Sequence, residues 1–367
     1  MSDPKAMGDA NSGLGPVSVV ICNYNGEDHL PPCLAALAEL EGVIDEWILV
    51  DNESTDRSLE VLSELAPHVT VLPSGSNVGP ARARNLGFAA ARNRWVLSID
   101  NDAVLEADVL VRLAAAVAAH PGTVIAQPRS VFAHEPDRVH YDGGSFHAAG
   151  LIALRNFYTP RAEAVGEGVI DADCVISVAL LLDRERVLEV GGYDERYFIL
   201  FEDLDLSYRL RLRGDRIISD EDAIVYHRAG TPGVSFREGP RYPGSRVYYH
   251  SRNRWFYLAK NYSARTLFFA TPLLACYELV WLIFAAVGGN ADEWLEGKRD
   301  FFRDWPETAK RRAEVQAART CKDRTLLVGG PLTTTPAIGK TVVHRALLRG
   351  LDLGLRLLWW VARPFAG

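Results

Sequence analysis

The sequence predicts an α/β protein: a mostly parallel central sheet with helices on both faces, followed by a helical C-terminal region that associates with a membrane. Three observations predict it. Short apolar, β-branched runs alternate with stretches of helical apolar spacing from Val17 to about residue 120, the pattern of βαβ units. Each of the four strands in that series runs into a polar loop. Beyond residue 262 the alternation gives way to long apolar and basic stretches.

The elements follow in order. "VSVVIC" from Val17 is an apolar run of buried-strand type, and "EDHLPPCLAALAEL" after it has helical spacing. "EWILVD" is a second strand and "DRSLEVLSELA" a second helix. "VTVLPS" is a third strand, and "GPARARNLGFAAARN" a third helix opening on Gly79-Pro80, where proline is tolerated. "RWVLSID" is a fourth strand, followed by the helix "EADVLVRLAAAVAAH". From about Val124 to Gly168 the pattern loosens. "DADCVISVALLLDRERVLEVGGYDERYF" then reads as a strand, a short helix and a Gly-Gly turn. "ILFEDLDLSYRLRLRGDRIIS" reads as an acidic turn entering a helix that stops at Gly214. "AIVYHRAGTPG" is a strand that ends on a histidine.

With 367 residues, 48% hydrophobic and 24% charged, the chain has ample material for a core. A net charge of −7 leaves no basic field to attract nucleic acid. The five cysteines are odd in number and lack CxxC spacing, which argues against a disulfide framework or a cysteine zinc site and fits a reducing cytoplasm. Residues 1–16 lack the order of a signal peptide and read as a disordered tail. Residues 266–288 are almost wholly apolar and long enough to cross a bilayer, but carry Pro272 and Glu278. They could span, lie in the membrane plane, or pack inside an oligomer of this chain. Arg252, Arg254, Lys260 and Arg265 before them read as a basic collar or a phosphate contact. Residues 291–319 read as charged helix. The segment 342–365 mixes apolar residues, arginines and the pair Trp359-Trp360, a composition suited to the membrane interface.

In sheets of this kind ligands bind at the carboxyl ends of the strands. There the sequence places Asn23 and Asn25, then Asp51, then Asn77 and Gly79, then Asp100-Asn101-Asp102. Two carboxylates in one short turn can hold a hard divalent cation such as Mg²⁺ or Mn²⁺, which shares its shell with a substrate's phosphates; the plain alternative is an Asx turn. Asp51 ends a buried strand, where an acid needs a partner, and could accept hydrogen bonds from a nucleobase or ribose; the alternative is a cap for the helix starting near Asp56, which suits Ser54 and Thr55 better than Asp51. Arg82, Arg84 and Asn85 open the third helix and could meet phosphate; a solvated basic face is the alternative for Arg84. Glu202 and Asp203 begin a helix after the apolar run "YFILF" and supply a candidate general base, although a helix N-terminus favours the charged carboxylate. Asp205 lies about 200° further round that helix than Asp203 and should have a different role. His227 could complete a metal shell or hold a phosphate, although a lone histidine is more often structural.

In that order, "VSVVICNYNG", "ILVDNESTDRS", "NVGPARARNLG", "SIDND", "GGYDERYFILFEDLDLSYRLRLRG" and "YHRAG" resemble the family-2 glycosyltransferases of the GT-A fold, a Rossmann-like sheet. They are most similar to the rhamnosyltransferase type that builds bacterial surface polysaccharides. The resemblance covers about residues 17–262. It implies one domain over 17–262, with a nucleotide-sugar half (17–120) and an acceptor half (121–262), and a separate helical region over 263–367. It further implies inverting transfer from a nucleotide-diphosphate sugar to a glycan hydroxyl, with specificity in the loops near 124–170 and 228–245; the apolar and basic tail points to lipid-linked acceptors at the inner face of the cell membrane. Asp51 matches the nucleobase-contacting acid, Asp100 and Asp102 the DxD-type metal motif, Asp203 of the Glu202-Asp203 pair the base, and His227 a frequent family histidine. "SRNRWF" lacks the glutamine of the QxxRW motif, which disfavours processive synthesis. The rival functions are a nucleotidyltransferase-like enzyme, which would want a Gly- or Lys-rich loop after the first strand, and a non-catalytic membrane-docked module.

Overall fold

The computed structural model describes residues 14–40, 44–166, 168–228, 242–333 and 341–367. The tail expected at 1–16 and the loop at 228–245 lie mostly outside the described residues.

The first part of the chain alternates as expected: β1 (Val17–Asn23), α1 (Leu30–Ala38), β2 (Ile44–Asp51), α2 (Ser58–Leu65), β3 (Thr70–Pro73), α3 (Gly79–Ala90), β4 (Trp95–Asp100), β5 (Ala103–Leu105) and α4 (Val109–Ala119). There follow β6 (Thr123–Phe132), β7 (Glu135–Tyr141), β8 (Gly144–His147), β9 (Leu151–Leu154), β10 (Val169–Ala172), β11 (Ala179–Asp183), α5 (Arg184–Glu189), α6 (Glu202–Leu212) and β12 (Arg216–His227). The remainder is helical: α7 (Gly244–Asn261), α8 (Ala264–Val287), α9 (Ala291–Arg303), α10 (Trp305–Ala317), α11 (Asp323–Leu326) and α12 (Val342–Ala362).

These elements form two compact units, which cut the chain differently from the boundary at residue 262 expected from the sequence. The first unit comprises the residues up to Gly143, Asn156–Phe198 and the stretch from Asp215 through β12. It holds a ten-stranded sheet whose main path is β10-β12-β6-β11-β4-β1-β2-β3. On that path only β11 and β10 run against the others. The carboxyl ends of β1, β2, β3, β4, β6 and β12 therefore share one edge. The core is made by the residues the pattern marked: Val19, Val20 and Ile21 of β1, Leu49 and Val50 of β2, and Val96 and Leu97 of β4 are all fully buried.

The loosened stretch after Val124 is in fact β6, a ten-residue strand buried along its whole length between β12 and β11. Pro128 and Arg129 hid it. Pro128 lies opposite Asp220, where the register of β12 shifts, so its missing N–H interrupts a ladder already broken there. Arg129 is buried because its guanidinium meets Asp142 at 2.9 Å and Glu221 at 3.1 Å.

The second unit comprises Gly144–Arg155, Ile199–Gly214 and the helices from α7 onward. Two ionic centres are buried in it. Asp205 of α6 meets Lys260 Nζ at 2.7 Å and Arg209 Nε at 2.8 Å, and accepts from Asn261 Nδ2 at 2.7 Å. Glu278 of α8 meets Arg254 and Lys298, each at 2.7 Å, and accepts from the indoles of Trp255 and Trp294. Burial raises the Glu278 carboxyl, but Lys298 and Arg254 outweigh that and hold it below the usual range. Arg254 and Lys260 are thus buried partners of acids, not the snorkelling collar that was one of the readings the sequence allowed.

Candidate active site

The carboxyl edge of the sheet carries a connected polar network. β1 and β2 are in register so that Asn23 stands beside Asp51. Asn23 Nδ2 donates to Asp51 Oδ1 at 3.0 Å, and the Ser54 hydroxyl and N–H donate to the same carboxylate at 2.6 and 3.1 Å. That satisfies an acid only 5% exposed. Asn101, one residue past β4, donates to Asn23 Oδ1 at 2.8 Å and ties the β4 turn to the same cluster. Asn25 Oδ1 accepts from Thr55 N–H at 2.8 Å. Asn52 Nδ2 donates to Asn77 Oδ1, and Asn52 Oδ1 accepts from Val78 N–H. Asn77 Oδ1 also accepts from Gly79 N–H at 3.1 Å. Gly79 has φ +77°, and a Cβ there would come within 2.7 Å of Phe198. Only glycine fits that start to α3.

The two acids of the DxD-type turn have different partners. Asp100 is held by Arg84, whose Nη2 lies 2.6 Å from Oδ1 and also donates to Ser177 O at 3.0 Å. Burial, opposed by Arg84 and reinforced by Asp102, pushes the Asp100 carboxyl up to about 6. Asp102 turns to His227 instead, with Oδ2 3.2 Å from Nε2. The backbone explains the meeting. β5 pairs antiparallel with the end of β12, placing Ala103 opposite His227, and Arg228 N–H donates to Asp102 O at 3.0 Å. His227 Nδ1 lies 3.2 Å from His140 Nδ1, with the rings stacked.

A carboxylate oxygen and an imidazole nitrogen about 3 Å apart match neighbouring positions in the shell of one small divalent ion. Among the described residues no group of three or more His, Cys, Asp and Glu side chains forms a protein-only cage. A site of two protein ligands suits an ion that keeps waters and shares its shell with phosphates. The donor set therefore fits Mg²⁺ or Mn²⁺, which Asp102 and His227 would hold with Asp100 beside them. Burial pushes the nearby thiols of Cys22 and Cys33 upward, Cys22 to about 12.

The sequence model for glycosyl transferase family 2 matches residues 18–181. An N-acetylglucosaminyl-diphospho-decaprenol L-rhamnosyltransferase of Mycobacterium tuberculosis is 28% identical over 266 residues, covering 67% of this chain and 84% of the relative. A PGL/p-HBAD biosynthesis glycosyltransferase of Mycobacterium bovis is 32% identical over 196 residues, covering 48% of this chain and 76% of the relative. The chain belongs to glycosyl transferase family 2.

This family-2 transferase is of the rhamnosyltransferase-like type. Its fold is GT-A: it superimposes on a structure of GalNAc-T7 with UDP, GalNAc and Mn²⁺ with a TM-score of 0.55 at 17% identity. The match covers 71% of this chain and 51% of that one, so the transferase spans about half of that protein's chain.

Several expected site residues of the transferase have partners within the first unit. Asn85 Nδ2 donates to Tyr193 O, and Asn85 Oδ1 accepts from Tyr193 N–H, so its amide clasps the Gly191-Gly192 turn. Arg82 is exposed and reaches Glu195 at 3.5 Å. Arg84 is not on a solvated face; it is the buried partner of Asp100. Asn52 and His140 were not singled out from sequence, and Ser54 was marked only as a helix-cap candidate. Asn52 was visible only as a polar member of "DNESTD", and His140 lies in the stretch that read as loose. In the second unit, Glu202, Asp203 and Asp205 occupy the first turn of α6. Glu202 and Asp205 are buried and Asp203 is half-buried, so Asp203 has the access a base needs. Just before it, Leu200 and Phe201 have φ of +68° and +75°, a strained arrangement of the kind that collects at functional sites. Asn253, which the sequence offered only as a headgroup or phosphate contact, pins this stretch by donating to the carbonyls of Ile199 and Leu200 at 2.9 and 2.8 Å.

Gly26 gives a direct test of the network. A Cβ there would come within 2.3 Å of both Asn101 Nδ2 and Asn23 Oδ1. Gly26→Ala is expected to cost about 1–3 kcal/mol of stability, read as a lower melting temperature, and to weaken binding of a nucleoside diphosphate in calorimetry.

Proposed function

We propose that this transferase moves a hexose-type sugar, with inversion, from a nucleotide-diphosphate donor to a hydroxyl of a lipid-linked glycan at the cytoplasmic face of a membrane. The observation that carries this reading is the meeting of Asp102 and His227 at 3.2 Å, on the sheet edge that also holds the Asp51–Asn23–Asn101 network. The lipid-linked acceptor is supported by the relative whose name gives decaprenol diphosphate as the acceptor's carrier.

The roles follow from chemistry. Asp51, held by Asn23 and Ser54, keeps acceptor oxygens for a nucleobase or ribose donor group. Asp102 and His227, with Asp100 behind them, would hold Mg²⁺ or Mn²⁺. When bound, such an ion supplies positive charge to the diphosphate that leaves. Arg84 keeps Asp100 in place and offsets its charge. Asp203 takes the proton from the attacking acceptor hydroxyl, with Glu202 beside it in the first turn of α6. A single displacement at the anomeric carbon inverts configuration and needs one protein carboxylate, unlike hydrolases that use two.

The test is transfer from a panel of nucleotide sugars to a lipid-linked acceptor, with and without EDTA. Transfer is expected to fall by on the order of 10²-fold in EDTA and to return with Mn²⁺ or Mg²⁺. Full activity in EDTA would remove the metal from the proposal. A product of retained configuration would remove the single displacement. Binding of donor with neither transfer nor donor hydrolysis would favour a non-catalytic module.

A further inference from the structure

Two helices of the second unit leave apolar faces uncovered. α8 buries Thr266, Ala270, Leu273, Trp281 and Ala285 on one side. Along the other it exposes Phe268, Leu279, Ile283 and Val287, the last 85% exposed. By length and composition this helix could cross a bilayer. Its packed side forbids that simply, because Glu278 would have to leave Arg254 and Lys298 on α7 and α9. α12 is packed beside α8: Phe365, just past its end, stacks on Phe269 at 5.0 Å, and Gly367 N–H donates to Thr266 Oγ1.

α12 resolves into three stripes. Leu355, Trp359 and Ala362 face inward and are its buried residues. At about 100° per residue, Arg345, Arg349, Arg356 and Arg363 fall within about 40° of arc. The arc beyond that stripe is apolar and exposed: Val343, Leu347, Leu353, Leu357 and, at the border with the arginines, Trp360, 74% exposed. Asp352 beside the stripe is mostly covered, accepting from Leu332 N–H at 2.8 Å and lying 3.7 Å from Arg356. A helix with this many charges does not span a membrane. A cationic stripe beside an apolar face, with a tryptophan at the boundary, is what lies in the interface of an anionic bilayer.

We infer that α12, together with the exposed face of α8, is a docking surface for an anionic lipid bilayer, with α12 in the interface plane. The arginine stripe meets the headgroups, while Leu353, Leu357 and Trp360 enter the acyl boundary. The inference deepens the reading of a lipid-linked acceptor and rests on it for its biological sense.

Sedimentation of the full chain with sucrose-loaded vesicles tests it. Vesicles of phosphatidylcholine with phosphatidylglycerol are expected to carry the protein down, phosphatidylcholine alone far less, and salt is expected to weaken the difference. Arg345→Gln/Arg349→Gln is expected to lower partitioning by on the order of twentyfold. Leu357→Glu is expected to abolish it. Both variants change exposed positions, so circular dichroism and nucleotide binding should match the parent chain. Equal binding to neutral and anionic vesicles, or no effect of the arginine pair, would overturn the inference. So would a dimer in solution that Leu357→Glu converts to monomer, which would make the face an interface between copies. Donor binding and hydrolysis, measured without vesicles, report separately on the proposed function: their loss with docking intact would sink the enzyme reading alone.

Discussion

Asp203→Asn is expected to lower sugar transfer by about 10³-fold while leaving binding of the donor nucleotide nearly unchanged. The substitution keeps the shape of the side chain and its place in the first turn of α6, and removes only the ability to take a proton. Of the three acids in that turn, Asp203 alone is not buried. The stretch before it is held in left-handed conformations at Leu200 and Phe201, with Asn253 bound to two of its carbonyls. Such a fixed approach suits a group that must meet a substrate hydroxyl in one geometry. Rapid-quench measurement of transfer beside calorimetry of nucleotide binding separates the two effects. A parallel loss of both would show that Asp203 serves the donor, or the fold, rather than the proton.

Asp205→Ala should act on stability instead. Asp205 is fully buried, and its carboxylate is the shared partner of Lys260, Arg209 and Asn261. Truncation leaves Lys260, only 2% exposed, and Arg209, 7% exposed, close together without their anion. Removing one member of a buried ionic group costs about 3–5 kcal/mol, far more than an exposed pair would. A scanning calorimeter should show the loss as a lower melting temperature of the helical unit. A melting temperature within a degree or so of the parent would mean that water or another acid replaces Asp205. The contrast between positions 203 and 205 follows from the helix itself, since two residues turn a side chain about 200° around the axis.

The strand and helix order of the first half was legible because its strands are buried on both faces and its helices are amphipathic, so the apolar period changes at each boundary. The stop at Gly214 was legible for a local reason, its φ of +85°. What was hidden depends on partners far away in sequence. β6 looked broken because Pro128 and Arg129 are poor strand residues until a register shift in β12 and two acids make room for them. Arg84, Arg254 and Lys260 looked like surface cations because nothing local shows that Asp100, Glu278 and Asp205 come to meet them. The polar loops were found as a set because parallel strands deliver their ends to one edge. Their wiring, with Asn23 joining Asp51 to Asn101, needed the register of β1 against β2.

The three-residue strand β5 has a consequence for how this sequence can drift. Its pairing with the end of β12 is the latch that sets Asp102 against His227. Exposed loops in the excursion between those two residues can lengthen or shrink without moving the latch, whereas β6, β11 and the rest of β12 are core strands of the same sheet. One residue slipped at the latch would reverse the side-chain facing and part the acid from the imidazole. Lineages of this chain should therefore tolerate insertions in those exposed loops, yet keep the count between Asp102 and Leu105 fixed.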